Sequence, residues 1–460
     1  MPVADVVTAI EQHMERREDI ILARDYDEGR HRYTFASATF LRKYKWVIEN
    51  SRENLCPAVI RAFSDGVSIA GWTGAGMDEA TETFHDRALG LVKVQNLVNR
   101  ETFRTGDAYA LVWPNAREED RVWYHRADQA VPMADPDDPS RLLWVAKLWT
   151  SRGHGRVNVY YADRVERWIT ASPVLVDAAK HLPQWPTDPT AWQPFTYDDE
   201  GETLANPYER VPWAWWTYDA TEQGGHGRSI LRDVIPLQDA LNKSVADLIV
   251  AEEAISNPLR AILNYEAKQK INPRSGEVEE ERIEFDETRN RLLGIPGEGP
   301  LVQLDAVDPS GLLQVQDAFA LKIARTLGIP AYYFTEMSGD VPSGESLRVL
   351  SARRTAALRD FQQDATGPWQ DIMGLLGIEE TEPVWSDVAP QTEQERQEGA
   401  KVRQDLGYPL EETMRFLGED EETRLRVHEE RAKEERAQAA AARESLEAWR
   451  RGEDPARVLR

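Results

Sequence analysis

The chain has 460 residues, of which 80 are acidic and 55 are Lys or Arg, giving a formal net charge of -25. That balance argues against a protein that grips duplex nucleic acid or an anionic membrane, because both need clustered cations, but it leaves room for DNA that slides rather than sticks. A hydrophobic share of 41% is enough for two to four domains, while 29% charged residues and a mean hydropathy of -0.57 point to a soluble protein with much exposed surface.

The segment from Met1 to Arg24 alternates charge with apolar residues and is not expected to be a secretion signal. No window approaches the roughly 18 apolar residues of a membrane span. Val6, Ile10, Met14 and Ile21 mark a ragged helical face, and Leu89, Leu91, Val92, Val94, Leu97 and Val98 mark a second one between Arg87 and Phe103. The single cysteine, Cys56, rules out an internal disulfide framework and reads as a buried hydrophobe.

From Thr105 the period changes to two. Gly106-Asp107 leads into Tyr109, Leu111 and Trp113; Val122 and Tyr124 follow, then Leu142, Trp144, Ala146 and Leu148, then Val157, Val159 and Tyr161. Turn clusters separate these runs, which predicts an antiparallel meander. The Pro-, Trp- and Asp-rich tract from His181 to Glu202 reads as a loop, and Trp213 to Trp216 as a short extended piece.

Helices return after Gly227. With Ser229 as a candidate N-cap, Val234, Leu237, Leu241, Val245 and Leu248 share one helix face, which Pro236 either kinks or restarts. A small mixed insert with turn signals at Asn272-Pro273 and Ser275-Gly276 follows. A second helix carries Leu312, Val315, Phe319, Ile323 and Leu327, and stops at Gly328 and Pro330. A loop then leads into a third helix with Leu347, Leu350, Leu358, Phe361, Trp369, Ile372 and Leu376, and Gly367-Pro368 is predicted to kink it. From Gln391 the chain is charged, and Glu411 to Trp449 reads as a helix with a thin apolar face.

The chemical inventory is sparse. Gly71, Gly74 and Gly76 lack a following Gly-Lys-Ser/Thr, the eight histidines show no zinc spacing, and Ser343 is not in a Gly-x-Ser-x-Gly elbow. Asp135, Asp137 and Asp138 form an acidic turn without the glycine and distal glutamate of a calcium loop. No catalytic set, metal site or cofactor is expected.

The order of these parts resembles the portal proteins of tailed double-stranded DNA bacteriophages, especially those with long non-contractile tails. The resemblance is carried by Gly106-Asp107-Ala108-Tyr109, by Val157-Asn158-Val159-Tyr160-Tyr161, and by the turn Gly227-Arg228-Ser229-Ile230-Leu231 before Asp239 and Asn242-Lys243. It implies an α+β fold with a β-rich wing (1–228), a first stem helix (229–256), a small mixed α/β clip (257–309), and a second stem helix (310–328). A tunnel loop and kinked tunnel helix (329–390) and a charged helical crown (391–460) would complete it. Stem packing would fall to Val234, Leu237, Leu241, Val245, Leu248, Leu312, Val315, Phe319 and Ile323. Ser338, Gly339, Asp340, Val341, Pro342, Ser343 and Gly344 would form the tunnel loop, and Gly367 and Pro368 the kink. Arg348, Arg353, Arg354 and Arg359 would either steer DNA or pair with acids between subunits.

The same resemblance implies a homo-oligomeric ring of twelve copies at the portal vertex of the virion, assembled in the host cytoplasm. Its partners would be the large terminase, a head–tail adaptor, major capsid and scaffold proteins, and double-stranded DNA passing non-specifically, with no membrane. The alternatives are another phage head–tail structural or adaptor protein, and an unrecognised nucleic-acid enzyme.

Overall fold

The computed structural model describes residues 2–32, 38–176, 182–196, 203–256, 310–334, 344–389, 393–405 and 410–417, short strands and turn residues between 260 and 303, and isolated residues from 423 to 433. The chain forms two compact units, Met1–Val341 with Val349–Val388, and Pro342–Arg348 with Ala389–Arg460.

The larger unit opens with helices α1 (Pro2–Asp27), α2 (Ala38–Ser51) and α3 (Cys56–Ser64), strand β1 (Ile69–Gly74), and helices α4 (Met77–His85) and α5 (Leu91–Thr105). Strands β2 (Asp107–Pro114), β3 (Asp120–Arg126), β4 (Ala130–Ala134), β5 (Leu142–Ser151), β6 (His154–Tyr160) and β7 (Arg164–Thr170) follow. The tract expected as a loop holds only a 3-10 turn, Pro189–Ala191, and β8 (Trp192–Pro194); β9 (Thr203–Ala205) and β10 (Trp213–Thr217) complete the strand-rich part.

The predicted meander is present. The sheet order is β4-β5-β6-β7-β8, all antiparallel, with β9 also pairing β7. A second antiparallel sheet runs β10-β2-β3. Alternation assigns the faces. Trp144, Ala146, Leu148, Val157 and Val159 point to a core shared with Val6, Ala9 and Ile10 of α1, while Val145 and Tyr160 point to a core shared with Tyr109, Leu111 and Trp213. Strand β2 is buried on both faces, because Ala108, Ala110 and Val112 join the main helical core. On α1 the buried line is Val6, Ile10, Ile20, Ala23 and Tyr26, and the predicted Met14 is exposed.

Helix α6 (Ile235–Ser256) begins six residues later than Ser229 suggested. Pro236 explains the shift: it has no N–H to donate and its fixed φ suits the first helical turn, so it restarts the chain rather than kinking it. Among the described residues the insert is all β: β11 (Arg260–Leu263), β12 (Gln269–Ile271), β13 (Val278–Glu280), β14 (Leu292–Ile295) and β15 (Val302–Gln303). β11 lies parallel to β14 and antiparallel to β15, and β12 pairs with β13. Helix α7 (Ser310–Leu327) matches its predicted span and packs along α6. It ends as expected: Gly328 adopts φ 67°, and the Ile329 amide donates back to Ala324 O at 2.9 Å.

Helix α8 (Gly344–Leu375) stays helical through Gly367-Pro368, so the predicted kink is not a break. Leu358, Phe361, Ala365, Trp369 and Ile372 bury its inner line in the main core. Strand β16 (Thr381–Trp385) then returns to pair antiparallel with β1. In the smaller unit, α9 (Glu393–Asp405) and α10 (Leu410–Leu417) pack on each other, and Ala400 and Met414 are buried. The helix expected from Glu411 to Trp449 is described as α10 in its first part, and most of the remainder lies outside the described residues.

Candidate functional site

Two of the sequence fragments singled out above, 106–109 and 227–231, meet at one junction. Helix α5 ends at Thr105, and Gly106 turns the chain into β2 with φ 98°, a conformation that favours glycine. Gly227 rests directly on it: a Cβ on either residue would overlap the other's carbonyl oxygen. Backbone bonds then lock the crossing. The Tyr218 amide donates to Gly106 O (2.9 Å), the Arg228 amide to Tyr218 O (2.7 Å), and the Ile230 amide to Phe103 O (3.0 Å). Ser229 Oγ donates to Arg104 O (2.5 Å) and accepts from the Leu231 amide (3.0 Å). Ser229 therefore caps the turn before α6, not the helix itself.

Asp107 is the charged centre of this junction and is fully buried. It pairs with Arg16 of α1, and its Oδ1 accepts from Trp215 Nε1 (2.8 Å) and the Gly227 amide (3.2 Å). Burial pushes the Asp107 carboxyl up, but Arg16, His226 and Trp215 together hold it below the usual carboxylate range. A second group of charges lies alongside. Glu101, buried on α5, pairs with Arg24 (2.9 Å) and Arg104; Asp27 takes Arg104 (2.9 Å), and Asp128 takes Arg24 (3.0 Å). These pairs fasten α1 to α5 and to the β3–β4 turn.

The next fragment, Gln238-Asp239 with Asn242, is buried and polar, and each side chain has a purpose in attaching α6. Gln238 accepts from the Leu55 amide (3.0 Å) and donates to Glu53 O (2.9 Å). Asp239 accepts from Tyr26 Oη (2.5 Å). Asn242 accepts from the Glu53 amide (3.1 Å) and its amide nitrogen meets His31 Nδ1 (2.6 Å). Cys56 is fully buried nearby, and burial, aided by Asp27 and Asp239, pushes its thiol up, the opposite of an activated nucleophile.

The expected packing residues divide between cover and exposure. Val234, Leu241 and Ile323 are buried, and Leu237, Val245, Leu248, Leu312 and Phe319 are half-buried. Val315 is 41% exposed, and around it Leu313 and Leu321 are 50% and 45% exposed. On α8, Val349 and Leu350 are 73% and 53% exposed. By sequence pattern Val315 and Leu350 belong to inward stripes; the structure turns both outward. Leu313, Leu321 and Val349 carry no signal in the sequence beyond being apolar residues beside those stripes.

The four arginines also separate. Arg354 is buried, and its Nε donates to Ala62 O at 2.6 Å, which fastens α8 to α3 within the subunit. Arg359 lies 3.5 Å from Asp387. Arg353 is exposed but lays its stem over Gly328, and Arg348 is exposed. Of the expected tunnel loop, Ser338, Gly339, Asp340, Val341, Pro342 and Ser343 lie outside the described residues, and Gly344 is the first residue of α8. Gly367 and Pro368 line an open cleft of about 530 Å³ with Trp213, Trp215 and Asp371.

Among the described residues no group of three or more His, Cys, Asp or Glu converges on a metal position, and no helix is long and apolar enough to cross a membrane. The chain belongs to the phage portal protein family of the SPP1 Gp6-like type, whose family model matches residues 87–348, more than half of its length. The matched stretch begins just before α5, contains both halves of the junction and ends inside α8. No curated protein matches the chain. Among solved structures, it is similar to a chain of the neck of an empty gene transfer agent particle computed with C6 symmetry, and to one of the native particle's neck computed with C12 symmetry. Each is 15% identical, with a TM-score of 0.40, covering 79% of this chain and 88% of the other. A chain of the native gene transfer agent virion is 14% identical, with a TM-score of 0.37.

Proposed function

We propose that this phage portal protein is one subunit of a closed ring, of twelve copies, at a single capsid vertex of a phage with a long non-contractile tail. The ring is the channel through which the genome enters during packaging and leaves during ejection. In this reading the strand-rich body is the wing, α6 and α7 the stem, the strands between them the clip, α8 the tunnel helix, and residues 391–460 the crown. Large terminase and head–tail adaptors dock on the ring, and capsid and scaffold proteins surround it.

The observation that carries this reading, given the family, is the set of apolar side chains left uncovered on α7 and α8: Leu313, Val315, Leu321, Val349 and Leu350. Covering what remains exposed of each is worth roughly 1 kcal/mol, about half the value for a fully exposed side chain, and a neighbouring copy in a ring would supply that cover. The net charge of -25 suits a channel through which DNA slides, with exposed Arg348 and Arg353 to steer it. Native mass measurement with negative-stain imaging of the purified protein tests it. A ring with a central hole and a mass near twelve subunits is expected; a stable monomer, with or without scaffold protein, would remove the reading.

A further inference from the structure

The open cleft of about 530 Å³ beside Gly367 and Pro368 lies between β10 and α8. Trp213, Trp215 and Thr217 alternate along β10 and so share the face that lines it. On α8, Asp364, Gly367, Pro368 and Asp371 are spaced by three, four and seven residues, which puts them on one side of the helix. Glu222, in the loop after β10, lines the cleft as well.

We propose that this cleft docks a basic segment of a partner protein, whose Lys or Arg side chains lie along the tryptophan wall and meet the carboxylates of Glu222, Asp364 and Asp371. The lining holds these three acids and no Lys, Arg or His. Among the described residues none of the three carboxylates has an ion pair or a hydrogen bond. Arg210, beside the cleft, donates to the carbonyl oxygen of Asp371 at 3.1 Å, not to its carboxylate. Partial burial pushes the Asp371 carboxyl up against the pull of Arg210, and burial followed by the charge of Asp360 pushes Asp364 up. A cation brought into the cleft relieves both.

Spacing and walls select a peptide. Among the described residues no three acids converge on a metal position, and seven residues of helix set Asp364 and Asp371 roughly 10 Å apart along α8. An extended segment rises about 3.3 Å per residue, so its first and fourth side chains match that separation. Trp215 is a fixed wall, since its Nε1 donates to Asp107 at 2.8 Å and its ring rests against His226 at 5.2 Å between centroids. Such a wall takes the methylene stems of Lys and Arg and attracts their charge. Trp213 is 2% exposed, and its Nε1 has no acceptor among the described residues. A peptide backbone carries carbonyl oxygens that such a donor can use, which a bare cation lacks. Nucleic acid is excluded, because its phosphates meet only like charge here.

Titration calorimetry on the full-length protein tests this with acetyl-Arg-Leu-Lys-Arg-amide and its counterpart acetyl-Glu-Leu-Glu-Glu-amide. Saturable binding of the basic peptide is expected at one site per subunit, with none of the acidic one. Asp364→Asn combined with Asp371→Asn should weaken it tenfold or more. Gly367→Leu should do the same at unchanged charge, since a Cβ at Gly367 meets nothing within 4 Å and the added bulk enters the cleft. A chain of net charge -25 attracts any cation weakly, so Glu79→Gln with Glu82→Gln serves as the control. Both residues are exposed on α4 and outside the lining, and this pair should leave binding within twofold. Thermal unfolding run in parallel establishes that each variant is folded. No saturable binding, insensitivity to the two cleft variants, or equal weakening by the α4 pair would each overturn the proposal. Binding to dissociated subunits but not to an assembled oligomer would also overturn it, by assigning the cleft to a second copy of the chain. Sites are counted per subunit, so failure here leaves the ring reading standing.

Discussion

The junction at Gly106 and Gly227 and the outer faces of α7 and α8 are completed in opposite ways. At the junction the buried carboxylates have their partners within the chain: Asp107 has Arg16 and Trp215, Glu101 has Arg24 and Arg104, and Asp239 has Tyr26. On the helices, side chains as apolar as Val349 stand 73% exposed. The first region needs nothing beyond the subunit. The second is stable enough to fold but leaves apolar surface for another molecule to cover. In the proposed ring a subunit would use both, a body that holds its shape alone and a face that neighbouring copies would finish.

This contrast is broken most severely at the glycine crossing. Gly227→Ala forces a Cβ into the Gly106 carbonyl, where neither backbone can withdraw without parting β2 from the turn before α6. A loss on the order of 5 kcal/mol is expected, comparable to the whole stability of a modest domain, and denaturant unfolding of the purified subunit would show it. A variant with unchanged midpoint would mean that the crossing is not tight in solution.

Asp107→Ala comes next. It leaves Arg16 charged and partly buried without its carboxylate and frees the Trp215 and Gly227 donors. About 3–5 kcal/mol of destabilisation is expected, again read from denaturant midpoints. A cost below about 1 kcal/mol would show that water reaches and replaces the pair.

Acid should loosen the strand-rich body by a comparable amount. Burial lowers His13 from 6.5 to about 4 and His125 from 6.5 to about 3. Both are neutral when folded, so as pH falls below 6.5 the unfolded chain takes up protons that the folded chain refuses. The stability they contribute is present above pH 6.5 and is lost as pH falls towards their folded values, by roughly 1.4 kcal/mol per unit for each histidine. The thermal midpoint should therefore be lower at pH 5 than at pH 7.5; an equal or higher midpoint would contradict the buried, neutral state.

Much of the body was legible in the chain. Tyr109, Leu111 and Trp113 alternate because β2 is pleated between two cores, and Gly328-x-Pro330 ends α7 by local backbone geometry alone. What escaped was non-local. The pairing of β1 with β16 joins residues some 300 positions apart, and Arg16 finds Asp107 across 91 positions, with no periodicity to announce either. The junction fragments were visible as motifs, but their purpose appeared only when Gly106 and Gly227 were seen to touch. The capture of Arg354 was illegible for a related reason: a cation's sequence neighbours say nothing about whether a carbonyl such as Ala62 O takes its Nε. The outward turn of Val315 and Leu350 was missed because a helical stripe shows which residues are apolar, not whether their cover comes from the same chain.

The smallest effect on the fold should come from Leu313→Asp combined with Val349→Asp, and this variant tests the central claim most directly. Native mass and thermal unfolding would be measured together on the variant and the parent chain. The expected result is a parent that forms rings and a variant that stays monomeric, with the variant's unfolding midpoint matching that of a dissociated parent subunit. Rings of undiminished yield from the variant, or a parent that never assembles, would contradict the claim that these uncovered faces are completed by neighbouring copies.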